Sequence, residues 1–254
     1  MPIKIGLVGC GAIGAEIAKA VDSGALDANL VAVCDHNPKT AVELIDSLQH
    51  KPARVKLEEL VALSDVVVEA ASQKAVPAIA RATLEKGKKL MIMSVGAFAN
   101  EELFAEVKAL AKEHGSRVYL PSGAISGLDG LKSASIGTIR SVTLTTTKNP
   151  GGLKGAPYIV ENKIDLDLLA GPTLIFEGSA LQAVRAFPAN VNVAATLFLA
   201  CGESEVKVKI VADPNMRVAE GDLVDTDHGV GEVIDEDVSS PPKMAAYLEN
   251  WQYK

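Results

Sequence analysis

Residues 3–14 read IKIGLVGCGAIG, and their reading decides the fold of what surrounds them. An apolar run leads into Gly9-x-Gly11-x-x-Gly14, and AIGAEIAKAVDSG follows with Ile13, Ile17 and Val21 on one helical face. That is the layout of a buried strand, a tight turn and a helix. In a dinucleotide-binding turn the first glycine lets the chain bend sharply. The second lets backbone approach a pyrophosphate, and the third lets the helix pack close to the strand. The free N–H groups at the helix start then face the phosphates. The spacing predicts cofactor contacts from Gly9, Cys10, Gly11, Ala12, Ile13 and Gly14. The alternative is a bare strand–turn–helix that binds nothing. Cys10 reads as a small filler residue within the loop.

Working outward, LVAVC at 30–34 reads as a second strand, followed directly by Asp35, which lies 21 residues after Gly14. A carboxylate there accepts hydrogen bonds from an adenosine ribose and repels a 2′-phosphate, which favours NAD over NADP. Its alternative reading is a loop residue or a helix N-cap. His36 beside it reads as an exposed loop residue. Helices are expected over 38–48, 57–63, 73–85 and 101–114, and strands over 65–70, 89–93 and 117–120. Small residues follow the strand ends at Ala71 and Ser72, and again at Gly96 and Ala97. Ligands of open α/β sheets sit outside such carboxyl ends, so these four are further cofactor candidates. His114 precedes Gly115 and reads as a partner of the helix dipole. The β-α alternation to about residue 120 implies an α/β fold, a doubly wound parallel sheet with helices on both faces.

The pattern changes after residue 120. Residues 121–129 are turn-rich and lead into a helix. SVTLTTT at 141–147 alternates and is β-branched, an antiparallel-type strand with one wet face. Residues 148–157, with glycines and two prolines, read as a loop. Strands over 173–176, 206–211 and 232–234 and helices over 178–185 and 192–200 complete a smaller α+β domain with a mixed sheet. The expected division is 1–120, a nucleotide-binding domain, and 121–240, a catalytic and dimerisation domain. A tail helix over 241–254 packs back on the first domain.

The chain has 254 residues, 48% hydrophobic but only 4% aromatic, so its core must be mostly aliphatic. A net charge of −7 and the lack of a basic run argue against nucleic acid as a partner. No stretch is long and apolar enough for a transmembrane helix, and no signal-peptide layout is apparent. Three scattered cysteines suit a reducing cytoplasm and no metal site.

The segments VGCGAIG, VEAASQKAV, SVGAFA, VYLPSGAISGLD, LTTTKNP, IFEGSA, FPANVNVAATL and VADP resemble the L-aspartate dehydrogenases of NAD biosynthesis, from residue 3 to about 214. The resemblance implies a Rossmann domain followed by an α+β domain similar to that of homoserine dehydrogenase. It implies oxidation of L-aspartate to iminoaspartate with NAD or NADP, and the reverse reductive amination of oxaloacetate with ammonia. It also implies a homodimer. By motif, Ala124 and Asn190 are the residues expected at the nicotinamide end of the cofactor.

The resemblance departs near Asn215. The register of the family's catalytic histidine holds Glu220 here. Oxidising an amine at Cα requires a neutral amine, so a base must take a proton, and histidine suits that at neutral pH. His228, between acidic neighbours in DTDHG, is one candidate; its alternative is an exposed turn residue. Glu220 is the other, or a solvated strand-edge carboxylate. The two substrate carboxylates need cations, and Lys148 is the first choice, ahead of Lys154, Lys163 and Arg185. Each lysine also reads as a solvated surface charge. Two further readings stay open: a non-catalytic NAD-binding homologue acting as sensor or partner, and an altered amino-acid or 2-oxo-acid substrate.

Overall fold

The computed structural model describes residues 2–121, 125, 127–137, 139–188, 192–201, 206–216 and 228–235, the last stretch and Arg140 through their backbone only. It divides into two compact units, Met1–Pro121 and Ser122–Lys254.

In the first unit β1 (Ile3–Val8), α1 (Ala12–Asp22), β2 (Ala28–Cys34), α2 (Pro38–Ser47), β3 (Ala53–Arg54) and α3 (Leu57–Leu63) are followed by β4 (Val66–Glu69) and α4 (Val76–Leu84). β5 (Lys89–Ile92), a 3-10 turn (Val95–Ala99), α5 (Glu101–Glu113) and β6 (Val118–Tyr119) complete it. The six strands are parallel, in the order β3-β2-β1-β4-β5-β6. Strands covered on both faces must be apolar throughout, and Leu7, Val33, Val67, Leu90 and Ile92 are fully buried. The expected parallel α/β sheet is therefore present. Its edge strand β3 was not expected, because two residues after Pro52 carry no periodicity to read.

Two helices differ from the sequence reading. The buried stripe of α1 runs through Gly14, Ala18 and Val21, while Ile13 is 51% exposed. Gly14, the next residue of the same turn, is the one that fits against Gly9 and Leu7, so the small residues Gly14 and Ala18 rather than the isoleucine define the buried stripe. α4 starts at Val76 rather than at Gln73, because Ser72–Ala75 closes a turn of its own with Ala75 N–H on the Ser72 carbonyl (2.9 Å).

The second unit contains α6 (Leu128–Ala134), β7 (Ile139–Lys148), α7 (Pro150–Leu153), α8 (Pro157–Glu161), a 3-10 turn (Leu166–Leu168) and β8 (Thr173–Ser179). After these come α9 (Ala180–Ala186), α10 (Asn192–Cys201), β9 (Val206–Ala212) and β10 (His228–Asp235). The sheet is mixed, in the order β10-β7-β9-β8, with only the β7–β9 pair parallel. β7 alternates as its sequence predicts. Val142, Leu144, Thr146 and Lys148 are buried, and so are Val206, Val208, Ile210 and Ala212, which stand opposite them on β9. Helices α9 and α10 pack on β9. The stretch after β7 is not the expected loop. Pro150 and Pro157 each open a short helix, where a missing N–H costs nothing, and the Asn149 side chain caps Gly151 N–H (2.9 Å). The expected helix in 241–254 lies outside the described residues.

Candidate functional site

The glycine turn is built by contacts that exclude side chains. Gly9 has φ +98°, a conformation that L residues rarely adopt, and a Cβ there would strike the backbone of Ala70 and Ala71. A Cβ on Gly14 would strike the carbonyl oxygen of Gly9. Gly11 is different: nothing lies within 4 Å of the position its Cβ would take. Two glycines thus shape the turn, and the third leaves backbone open to the outside.

Helix α1 begins at this open point. Gly11 is its N-cap, without a side-chain cap and with no acidic residue in the first turn. The first helical bond runs from Ala15 N–H to the Gly11 carbonyl (2.8 Å). The N–H groups of Ala12, Ile13 and Gly14 precede it and have no partner within the helix. Such a terminus favours an anion. By contrast, α5 carries an Asn100 side-chain cap and two glutamates in its first turn.

The turn forms one wall of a cleft of about 750 Å³ at the carboxyl ends of β1, β2 and β4. Of the candidate cofactor residues, Gly9, Gly11, Asp35, Ala71 and Ser72 line it. Asn37, Thr40, Leu57, Lys74 and Ala78 also line it and were not anticipated, since none but Lys74, within VEAASQKAV, belongs to a motif. Cys10 and Gly14 are buried behind the turn. Gly96 and Ala97 are buried in the 3-10 turn after β5, outside this cleft. The Asp35 carboxylate is 8% exposed and accepts from Cys10 N–H (2.7 Å) and Asn37 N–H (2.8 Å). It ties the end of β2 to the glycine turn while facing the cleft. His36, 97% exposed, places Nδ1 3.1 Å from the same carboxylate.

The cysteines here are not nucleophiles. Burial, with the Asp35 charge and Cys34 adding to it, pushes the Cys10 thiol up to about 12. Burial and the same carboxylate raise Cys34. Both stay protonated at neutral pH, and a thiol attacks only as thiolate. Among the described residues no group of three metal-ligating side chains occurs.

Sequence reasoning missed Glu69. It is fully buried at the end of β4. Its carboxylate accepts from Ala71 N–H (2.8 Å), from the Ser94 hydroxyl (2.8 Å) and from Ser94 N–H (3.0 Å). The available signal was VVVE, one acid closing an otherwise apolar strand.

In the second unit Lys148 is 2% exposed, not a solvated surface charge. Thr146, two residues earlier on the same face, has its hydroxyl buried without a hydrogen-bond partner among the described residues. Lys154 is a surface lysine paired with Asp167 (2.7 Å). Lys163 and Arg185 are exposed, Arg185 beside a second cleft of about 410 Å³. Ala124, Asn190 and Glu220 lie outside the described residues, and of His228 only the backbone, opposite Thr147 on β10, is described.

Residues 9–121 match the homoserine dehydrogenase NAD-binding domain family, and residues 129–234 match the aspartate dehydrogenase C-terminal family. An L-aspartate dehydrogenase of Methanosarcina acetivorans is 51% identical over 216 residues, 84% of this chain and 80% of that protein. The chain belongs to the L-aspartate dehydrogenase family. A more distant member, from Nitrosopumilus maritimus, is 43% identical over 84% of this chain and 79% of its own length. The crystal structure of aspartate dehydrogenase from Thermotoga maritima matches over all of this chain and 98% of that one, with TM-score 0.65 and 28% identity. A myo-inositol dehydrogenase from Lactobacillus casei, 14% identical with TM-score 0.58, shares the fold. The residues of the cleft fit the dinucleotide this family implies: an uncapped helix start, an open Gly11 and a carboxylate at the end of β2.

Proposed function

We propose that the chain is an NAD-dependent L-aspartate dehydrogenase, acting on the CH–NH2 group to give iminoaspartate, or oxaloacetate and ammonia after hydrolysis. What carries this reading is that about half of the residues are identical to curated L-aspartate dehydrogenases along a match that covers most of both chains. Bound NAD supplies the hydride acceptor; the remaining work falls to the backbone and side chains of the protein. The turn from Gly9 to Gly14 receives the pyrophosphate on N–H groups 12–14. Asp35 accepts from the adenosine ribose, and this supports NAD over NADP, because a 2′-phosphate would meet its negative charge. Ala71 and Ser72 provide close backbone beside the cofactor, and by motif Ala124 and Asn190 belong to its nicotinamide end.

Lys148 is proposed as the cation for a substrate carboxylate. The two substrate carboxylates call for cations, and of the four candidate cations Lys148 is the buried one, at the end of β7. The proton leaving the substrate amine goes to His228, with Glu220 in the register of the family histidine as the other candidate. The departure at Glu220 favours one competing reading, an NAD-binding homologue without turnover. We propose a homodimer in the cytoplasm. Free, mostly buried cysteines agree with a reducing compartment, and no described helix is long and apolar enough to cross a membrane.

The deciding experiment measures NADH formation from NAD and L-aspartate by the parent and by His228→Ala. Turnover in the parent that collapses in the variant assigns the base. Equal turnover moves the role to Glu220, and no turnover despite NADH binding favours the competing reading. Light scattering during gel filtration tests the dimer.

A further inference from the structure

We propose that Glu69 is a positioning residue for the nicotinamide-ribose half of the cofactor, an inference that rests on the dinucleotide reading of the cleft. The strand order reverses between β1 and β4, the point where ligands cross open α/β sheets. Asp35 marks the β2 side as the adenosine side. The other half of a dinucleotide then meets the carboxyl ends of β4 and β5.

Those two ends are joined by Glu69. Its main-chain carbonyl accepts from Met93 N–H (2.9 Å), and its carboxylate holds Ala71 N–H on one loop and both donors of Ser94 on the other. Ala71 and Ser72 line the cleft. Ser94 starts the 3-10 turn, with Ala97 N–H on its carbonyl (3.0 Å). A buried carboxylate that accepts three hydrogen bonds fixes the separation of the two loops, since moving either one strands a buried donor or acceptor. A glutamine cannot replace it. In one amide orientation the NH2 group faces Ser94 N–H, and in the other it faces Ala71 N–H.

The test uses the full chain and two ligands, NADH and ADP. ADP reports on the glycine turn, the Asp35 side and the Ala71 and Ser72 wall of the same cleft, but not on the Ser94 turn. In Glu69→Gln the Kd for NADH should rise about tenfold, for the loss of one buried backbone bond. The Kd for ADP should rise less, by about threefold at most, since ADP shares only the Ala71 and Ser72 wall of the cleft and does not reach the Ser94 turn. Ser94→Ala removes only the hydroxyl bond and should weaken NADH about threefold with ADP unchanged. Equal loss of both ligands would make Glu69 a general structural residue and overturn the proposal, as would no loss of either. If Glu69→Gln does not fold, Ser94→Ala decides by the same split. A parent that binds neither ligand would instead bring down the cofactor reading on which the proposal stands.

Discussion

In the first unit the cleft wall from Gly9 to Gly14 is backbone, shaped by what the glycines lack. In the second, the buried face of β7 that carries Lys148 is made of side chains, set by pairing with β9. A backbone site is encoded within a few residues, because forbidden Cβ positions fix the turn. A side-chain site depends on strands that are distant in sequence, so the same residue type reads as surface until its register is known. Lys148 is the case in point.

This comparison breaks most directly at Gly14. Gly14→Val forces two methyl groups and a Cβ against the Gly9 carbonyl and should cost about 3 kcal/mol or more, read by urea unfolding. Near-parental stability would mean that close packing does not define the turn. Lys148→Met probes the other material: kcat/KM for L-aspartate should fall about a hundredfold, the scale of a lost charged hydrogen bond, with the Kd for NADH unchanged. A parallel loss of NADH binding would remove Lys148 from the substrate.

Gly11→Ala sharpens the contrast with Gly14. Its space is open, so stability should change by less than about 1 kcal/mol. NAD affinity should nevertheless fall about tenfold in calorimetry, because the added methyl occupies the phosphate's approach. Asp35→Ser should shift the NAD:NADP ratio of kcat/KM about tenfold toward NADP; an unchanged ratio would take Asp35 off the ribose. The smallest effect concerns Cys10. Its folded thiol holds the proton to about 12, above the ordinary 9.0. The stability this represents is therefore full below pH 9 and is lost as pH rises from there toward 12. Unfolding midpoints should fall on this alkaline limb, and less steeply in Cys10→Ala.

Most of the first unit was legible. The glycine spacing and apolar runs gave β1, α1, β2 and the parallel sheet, because fully buried strands leave an unbroken aliphatic signature. Ile13 was misplaced on the buried face, since its size suggested the stripe, whereas close packing selects the small residues Gly14 and Ala18. The helices opened by Pro150 and Pro157 were hidden by composition, as the same residues serve loops and first helical turns. Glu69 stayed hidden for another reason: its partners lie 2 and 25 residues further along, and only strand pairing brings Ser94 to it. The family was legible through PSGAISGLD and FPANVNVAATL, whose length makes chance agreement improbable.

The central claim, that this fold oxidises L-aspartate, is tested most directly by following NADH appearance with the purified full chain, NAD and L-aspartate. The reverse reaction from oxaloacetate, ammonia and NADH runs alongside. The account predicts turnover in both directions that depends on the amino acid or oxo acid. NADH binding by fluorescence with no turnover in either direction would contradict it.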